Sequence, residues 1–145
     1  MTFLDTNILV YASDTTSPFF GEALQVINAA QNGELVACLS PQVLREFFAV
    51  RTNPKLFEKP FTASEAAEVV DSYLVPHHLI RLMAPLETTM KRWCDLCRQH
   101  DIKAQRIHDT YLVATMLDHQ VTHLYTADTK GFEAFSEIVA ENPFK

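Results

Sequence analysis

The chain has 145 residues, 48% of them hydrophobic and 10% aromatic, and its formal net charge at pH 7 is -6. The apolar fraction excludes a disordered chain, and no apolar run reaches the length of about 20 residues that spans a bilayer. With no secretory signal and three cysteines, an odd number, we expect a single cytoplasmic domain over residues 1–145. The acid excess argues mildly against a broad face for binding nucleic acid.

Short apolar runs alternate with segments of helical periodicity along the chain. The strands that these runs predict are 2–4, 35–39, 79–82, 123–126 and a last one near 138–139. The helices predicted between them are 8–12, 17–33, 41–51, 62–74, 86–100, 107–118 and 131–135. Ser-Pro pairs at 17–18 and 40–41 and capping-box spacing at 62–65 mark three helix starts.

The predicted strands are apolar throughout, which is typical of strands buried on both faces. Strands separated by helices predict an α/β fold: a three-layer sandwich with a central, mainly parallel sheet of about four or five strands flanked by helices. Such sheets bind ligands beyond the carboxyl ends of their strands, where the winding reverses. We therefore expect functional residues at that edge.

Four acids stand out by position. Asp5 directly follows the first predicted strand and Asp128 the fourth, so both carboxylates project from the ligand edge. Asp109 lies at the start of the helix 107–118, whose amino-terminal end faces the same edge if the next strand is parallel to the first. Glu46 lies on a core-facing stripe, since three of its four neighbours at three and four residues are apolar.

Each of three acids has an ordinary structural explanation: Asp5 as a helix cap, Asp109 beside its helix dipole and Asp128 in a turn. Glu46 has no capping role, and isolated buried carboxylates are costly. Four carboxylates at one edge need a counter-charge, because two charges at about 4 Å repel by about 4 kcal/mol at a dielectric of about 20. Mg²⁺ or Mn²⁺ suits these oxygen ligands, and such a pocket can activate water against a phosphodiester.

Polar and basic residues near the same edge are secondary candidates. Thr6, Asn7 and Thr126 can orient the acids or bind a phosphate oxygen, although local turns explain them equally well. Six basic residues can receive phosphates, with solvated surface as the ordinary alternative. They are Arg45, Arg51, Lys55, Lys103, Arg106 and Lys130.

Four segments, in order and spanning nearly the whole chain, resemble the PIN-domain nucleases, most closely the toxin ribonucleases of VapBC toxin–antitoxin pairs. The segments are Phe3-Leu4-Asp5-Thr6-Asn7-Ile8-Leu9-Val10-Tyr11, Val43-Leu44-Arg45-Glu46-Phe47-Phe48, Ile107-His108-Asp109-Thr110-Tyr111-Leu112-Val113-Ala114, and Leu124-Tyr125-Thr126-Ala127-Asp128-Thr129-Lys130-Gly131-Phe132. The resemblance implies a metal site at Asp5, Glu46, Asp109 and Asp128 and Mg²⁺- or Mn²⁺-dependent endonucleolysis of RNA. It also implies a homodimer and an antitoxin whose tail covers the site.

Two alternatives stay open: a housekeeping PIN nuclease, and a catalytically silent metal-binding module that acts through interactions. A haloacid-dehalogenase-type phosphatase is disfavoured because Asn7 stands where its second Asp would be. A phospho-acceptor receiver domain is disfavoured because Asp5 stands alone and no acid ends the third strand. Cys94, Cys97 and His100 share one helical face without the second ligand pair that a structural zinc site needs.

Overall fold

A computed structural model of the protein describes residues 1–144 and contains a five-stranded sheet in which every pair of neighbouring strands is parallel. The strands are β1 (Thr2–Leu4), β2 (Ala37–Leu39), β3 (Arg81–Leu82), β4 (His123–Tyr125) and β5 (Val139–Glu141). The α-helices are α1 (Thr6–Ala12), α2 (Phe20–Gln31), α3 (Pro41–Arg51), α4 (Ala63–Tyr73), α5 (Thr89–His100) and α6 (Arg106–Asp118); a short 3-10 helix (Thr129–Phe132) follows β4. The α/β fold predicted from the sequence is confirmed.

β1 is the middle strand of the sheet, whose order is β3-β2-β1-β4-β5. Phe3 pairs with Cys38 of β2 on one side and with Leu124 of β4 on the other. Helix α1 packs against α2 and α3, and α3 against α4, whereas α5 packs against α6. Because right-handed crossovers join parallel strands, α1 to α4 lie on one face of the sheet and α5 and α6 on the other. The direction of winding therefore reverses between β1 and β4.

The strands at the centre of the sheet are short, and every residue of β1 and β2 is buried, as is Leu124 of β4. Phe3, Leu4 and Leu124 have no exposed surface, and Leu39 is 1% exposed. This burial explains why these positions are apolar, since helices cover both faces. None of the helices in residues 1–144 is long and apolar enough to span a bilayer.

Several bounds differ from the sequence prediction, most of all the starts of α2 and α5 and the length of β3. Helix α2 begins at Phe20, not at the Ser-Pro pair, because Ser17 forms a turn: its hydroxyl accepts from Phe19 N and its carbonyl from Phe20 N. Helix α5 begins at Thr89, whose hydroxyl accepts from Leu86 N. Strand β3 has only two residues, both exposed, because it is the outer strand of the sheet.

A buried carboxylate joins the start of α5 to the end of α6. Asp118 accepts hydrogen bonds from Thr88 Oγ1 (2.9 Å), Thr89 Oγ1 (2.6 Å) and Arg92 Nε. Its side chain is 3% exposed, and Thr89 is fully buried. Burial opposes the charged form, but the three hydrogen bonds prevail and lower the pKa of Asp118.

We expect Asp118→Ala to lower the free energy of unfolding by about 2–3 kcal/mol, because the buried Thr89 hydroxyl loses its acceptor and Arg92 its partner. Asp95→Ala is the matched control. Asp95 also has two cationic partners, Lys91 and Arg98, but its side chain is 52% exposed, so its loss should cost much less stability than the loss of Asp118. Urea unfolding followed by circular dichroism measures both values, and equal losses would contradict the structural role assigned to Asp118.

Candidate active site

The four acids predicted from the sequence lie on four helical segments at the carboxyl edge of the sheet, three of them at or near the segment's start. Asp5 is the N-cap of α1 and is 7% exposed. Asp128 is the N-cap of the 3-10 helix after β4. Glu46 lies in the second turn of α3, and Asp109 in the first turn of α6.

The Asp5 carboxylate is held by three donors. Its Oδ1 accepts from Thr6 N at 2.7 Å, and its Oδ2 accepts from Thr126 Oγ1 at 2.8 Å and from Asn7 Nδ2 at 3.3 Å. All three hydrogen bonds favour the ionised carboxylate. The side chain of Asp5 is therefore fixed in orientation before any ligand binds.

Thr126 and Asn7 connect the segment after β1 to the segment after β4. The Thr126 hydroxyl accepts from Asn7 Nδ2 (3.1 Å) and from Asp128 N (3.0 Å), and Asn7 Oδ1 accepts from Ala127 N (3.0 Å). These bonds make the position of Asp128 depend on that of Asp5.

Asp128 itself folds back over the start of the 3-10 helix. Its Oδ1 accepts from Gly131 N at 3.2 Å, and a Cβ atom added at Gly131 would lie 2.6 Å from its Oδ2. A side chain at position 131 would push the carboxylate away, so the glycine permits this conformation.

Two hydrogen-bond donors from different segments of the chain hold the Glu46 carboxylate. Thr6 Oγ1 donates to Glu46 Oε2 at 3.1 Å, and Gln42 Nε2 donates to Glu46 Oε1 at 2.9 Å. The same Gln42 nitrogen donates to the carbonyl of His108 at 2.8 Å, one residue before Asp109. Gln42 thus connects α3 to the start of α6. Its spacing of four residues from Glu46 was the available signal, because such residues share a helical face.

The acids sense one another's charge. Burial raises the pKa of Asp5 to about 6, with the charges of Asp109 and Glu46 adding to the effect and hydrogen bonds from Thr126 and Thr6 opposing it. Burial, then the charges of Glu46 and Asp128, raise the pKa of Asp109 against the opposing charges of Arg106 and His108. Within residues 1–144 none of the four acids forms an ion pair.

A cleft of about 610 Å³ opens beside Glu46 and Asp109. The other residues that line it are Gln42, Arg45, Gln105, His108 and Tyr111. Arg45 is exposed on α3 and shares the cleft with Glu46, although its position along the helix indicated a different face. Arg106 is exposed at the first residue of α6, close enough to lower the pKa of Asp109.

One of the basic candidates is ruled out as a phosphate contact. Arg51 is 4% exposed, and its guanidinium lies 4.1 Å from the ring centroid of Phe57 and 3.9 Å from that of Phe61. It is a buried cation over aromatic faces rather than a surface group. Lys55, Lys103 and Lys130 are exposed.

The chemistry of the cleft fits a hard cation, although no three His, Cys, Asp or Glu side chains within residues 1–144 already form a set of metal ligands. The four acids offer only oxygen donors, which Mg²⁺ and Mn²⁺ prefer. They have no ion-pair partner among the described residues, and burial, with a further contribution from neighbouring carboxylates, raises the pKa values of Asp5 and Asp109. A bound cation would supply the missing positive charge.

We expect Asp109→Asn to stabilise the metal-free protein by about 0.5–1 kcal/mol at pH 7.5, a figure reduced for the solvent that screens this half-exposed group. Because folding raises the pKa of Asp109, its native state is most favoured below the ordinary Asp pKa of about 3.9 and loses that advantage as the pH rises. The stabilisation by Asp109→Asn should therefore shrink towards pH 4. Urea unfolding in the presence of a chelator measures the free energy of unfolding, with the exposed Asp71→Asn as control. A loss of stability at pH 7.5 would contradict the repulsion.

Comparisons with known proteins agree with this architecture. The family model of the PIN domain matches residues 2–138. Ribonuclease VapC24 of Mycobacterium tuberculosis is 29% identical over 138 residues, covering 93% of this chain and 91% of the relative. The crystal structure of M. tuberculosis VapC20, described as a toxin that cleaves the sarcin-ricin loop, superposes with a TM-score of 0.69 at 15% identity, covering 93% of this chain and 95% of the other. A toxin–antitoxin complex from Klebsiella pneumoniae gives a TM-score of 0.64 at 17% identity, covering 100% and 99%. The match of the family model over residues 2–138 shows that this chain belongs to the PIN domain family.

Proposed function

We propose that the protein is an endoribonuclease that hydrolyses RNA phosphodiester bonds with Mg²⁺ or Mn²⁺. The observation that carries the proposal is the set of four carboxylates at one sheet edge, none of them in an ion pair among residues 1–144. Without a cation, such a set of like charges costs folding free energy; with one, it can catalyse hydrolysis of a phosphodiester. The relative named as a ribonuclease, aligned over most of both chains, supports RNA as the substrate.

In this proposal Asp5, Glu46, Asp109 and Asp128 are the metal-binding and catalytic residues. They would hold a divalent cation, which would activate a water molecule and stabilise negative charge on the phosphate. Thr126 and Asn7 orient Asp5, as their hydrogen bonds to its carboxylate indicate. Thr6 and Gln42 do the same for Glu46.

Two cations near the acids are suited to the substrate in this proposal. Arg45 lines the same cleft as Glu46 and Asp109, and its guanidinium can receive a phosphate of the RNA. Arg106 acts beside Asp109 at the start of α6. Both are exposed, so neither has to move out of the core to reach a ligand.

We further propose that this ribonuclease is the toxin of a toxin–antitoxin pair, a cytoplasmic homodimer held inactive by its antitoxin. The resemblance to structures of such complexes supports the class of partner. An apolar groove of about 400 Å³ between α3 and α4 adjoins the cleft, and Arg45 lines both. Leu44, Phe48, Val70 and Leu74 line the groove and suit an apolar segment of the antitoxin.

We expect the purified protein, free of any partner, to cleave RNA in Mg²⁺ or Mn²⁺, and we expect cleavage to stop when the metal is chelated. Asp5→Asn and Asp109→Asn should each lower the cleavage rate by at least about 100-fold, since loss of a ligand costs more than loss of the groups that orient it. Asp71→Asn, an exposed change on α4, should cleave like the wild type. Gel analysis of a labelled RNA measures the rates.

Full cleavage by either active-site variant would sink the assignment of the metal ligands. A folded wild type that binds the metal and captures an antitoxin, yet cuts no RNA under any of these conditions, would instead favour a catalytically silent interaction module.

The toxin role has its own test. Induced expression of the wild type should arrest growth of the host, because uncontrolled RNA cleavage is harmful, whereas Asp109→Asn should be tolerated at the same protein level. Colony counts after induction measure the effect. Harmless expression of a folded, RNA-cleaving protein would favour a housekeeping nuclease.

A further inference from the structure

An aromatic pair at the rim of the cleft has no part in the metal chemistry. Tyr111 of α6 lines the cleft together with His108 and Asp109. Its ring packs edge-on against Trp93 of α5, with the ring centroids 6.2 Å apart and the planes at 68°. Trp93 is the only tryptophan of the chain.

Trp93 fixes this pair in place. Its indole Nε1 donates to the carbonyl of Ile107 at 2.9 Å, and its ring packs against the hydrophobic core. Tyr111 is half-buried and does not belong to that core. Because helical side chains lean towards the amino terminus, its ring lies over the turn that holds Ile107 and His108. The Tyr111 ring thus contacts Trp93 and also lines the cleft.

The surroundings of Tyr111 suit a nucleotide better than an apolar protein segment. Glu46 and Asp109 lie in the same cleft, and the exposed Arg45 stands on the α3 side. A volume of about 610 Å³ lies within the range of small-ligand sites. An aromatic ring beside a cation and a phosphodiester-cleaving centre combines the two contacts that single-stranded nucleic acid uses, base stacking and phosphate pairing.

We propose that Tyr111, braced by Trp93, is a stacking platform for one unpaired base of the RNA next to the scissile phosphate. The proposal rests on the ribonuclease function above and assigns to it a residue that binds a base of the substrate. Stacking accepts every base because each has a π-face, so the subsite selects an unpaired nucleotide rather than a sequence. A duplex, whose bases already stack on each other, cannot use it.

The experiment compares two RNA octamers with equal numbers of phosphates, one ordinary and one abasic throughout. Their dissociation constants are measured by anisotropy of a 5′ label in Ca²⁺, which binds the same oxygen ligands, with a gel to show that the RNA stays intact. The variants are Tyr111→Ala, Tyr111→Phe and, as a control, Phe19→Ala. Phe19 is also an exposed aromatic residue, 36% accessible, but it stacks on Phe144 and does not line the cleft.

We expect the wild type to prefer the ordinary octamer, and Tyr111→Ala to lose about 5- to 100-fold of that preference, the value of one stacked base. Tyr111→Phe should keep the preference within about twofold, because the ring and not the hydroxyl stacks. Phe19→Ala should match the wild type. Trp93 fluorescence should change on binding the ordinary octamer and stay constant with the abasic one.

Three results would overturn the stacking platform without touching the ribonuclease function. If Tyr111→Ala weakens the binding of both octamers equally, the residue supports the cleft and binds no base. If it weakens the binding of neither octamer, the aromatic rim is free for contact with a protein. A wild type that binds neither octamer would contradict the ribonuclease function together with the subsite, whereas metal-dependent cleavage without any dependence on Tyr111 would contradict only the subsite.

Discussion

The position of β1 between two parallel neighbours is the constraint on which the site depends. Because β2 and β4 both run parallel to β1, the segments that leave β1, β2 and β4 all emerge at one edge of the sheet. The helices that follow turn to opposite faces and leave an opening between them. Asp5 and Asp128 cap the segments on the two sides of that opening, while α3 and α6 bring Glu46 and Asp109 to it from either face.

The acids at this edge have structural and chemical roles at once. Asp5 and Asp128 cap helical segments, as each would in a protein without any active site. What distinguishes them is the charge of other acids nearby: Asp109 and Glu46 act on Asp5, and Asp128 acts on Asp109. None of these acids has an ion-pair partner among the described residues, so the rest of the fold, including the buried centre of the sheet and the Asp118 network, has to offset the repulsion.

The sequence was sufficient for the fold and for the positions of the four acids, because apolar strands and strand-end carboxylates are local patterns. The capping box at Thr62 and Glu65 formed as expected, since both of its hydrogen bonds lie within one helical turn. Arg51 could not be placed, because its burial depends on Phe57 and Phe61, which fold over it from the next loop. The contact of Gln42 with Glu46 was within reach of its four-residue spacing, but its bond to the carbonyl of His108 was not, because that residue lies 66 positions further along the chain.

The hydroxyl of Thr126 has one allowed orientation. Two N–H groups, from Asn7 and from the Asp128 backbone, occupy its acceptor positions, so its single hydrogen must point to Asp5. A group locked in this way keeps no rotational freedom to lose when a ligand arrives. Serine could reproduce the three bonds, whereas valine, of nearly the same shape, would leave the Asp128 N–H without its acceptor and Asp5 Oδ2 with the longer bond from Asn7 alone. The fixed direction of this one hydrogen bond thus preorganises the Asp5 carboxylate from the moment the chain folds.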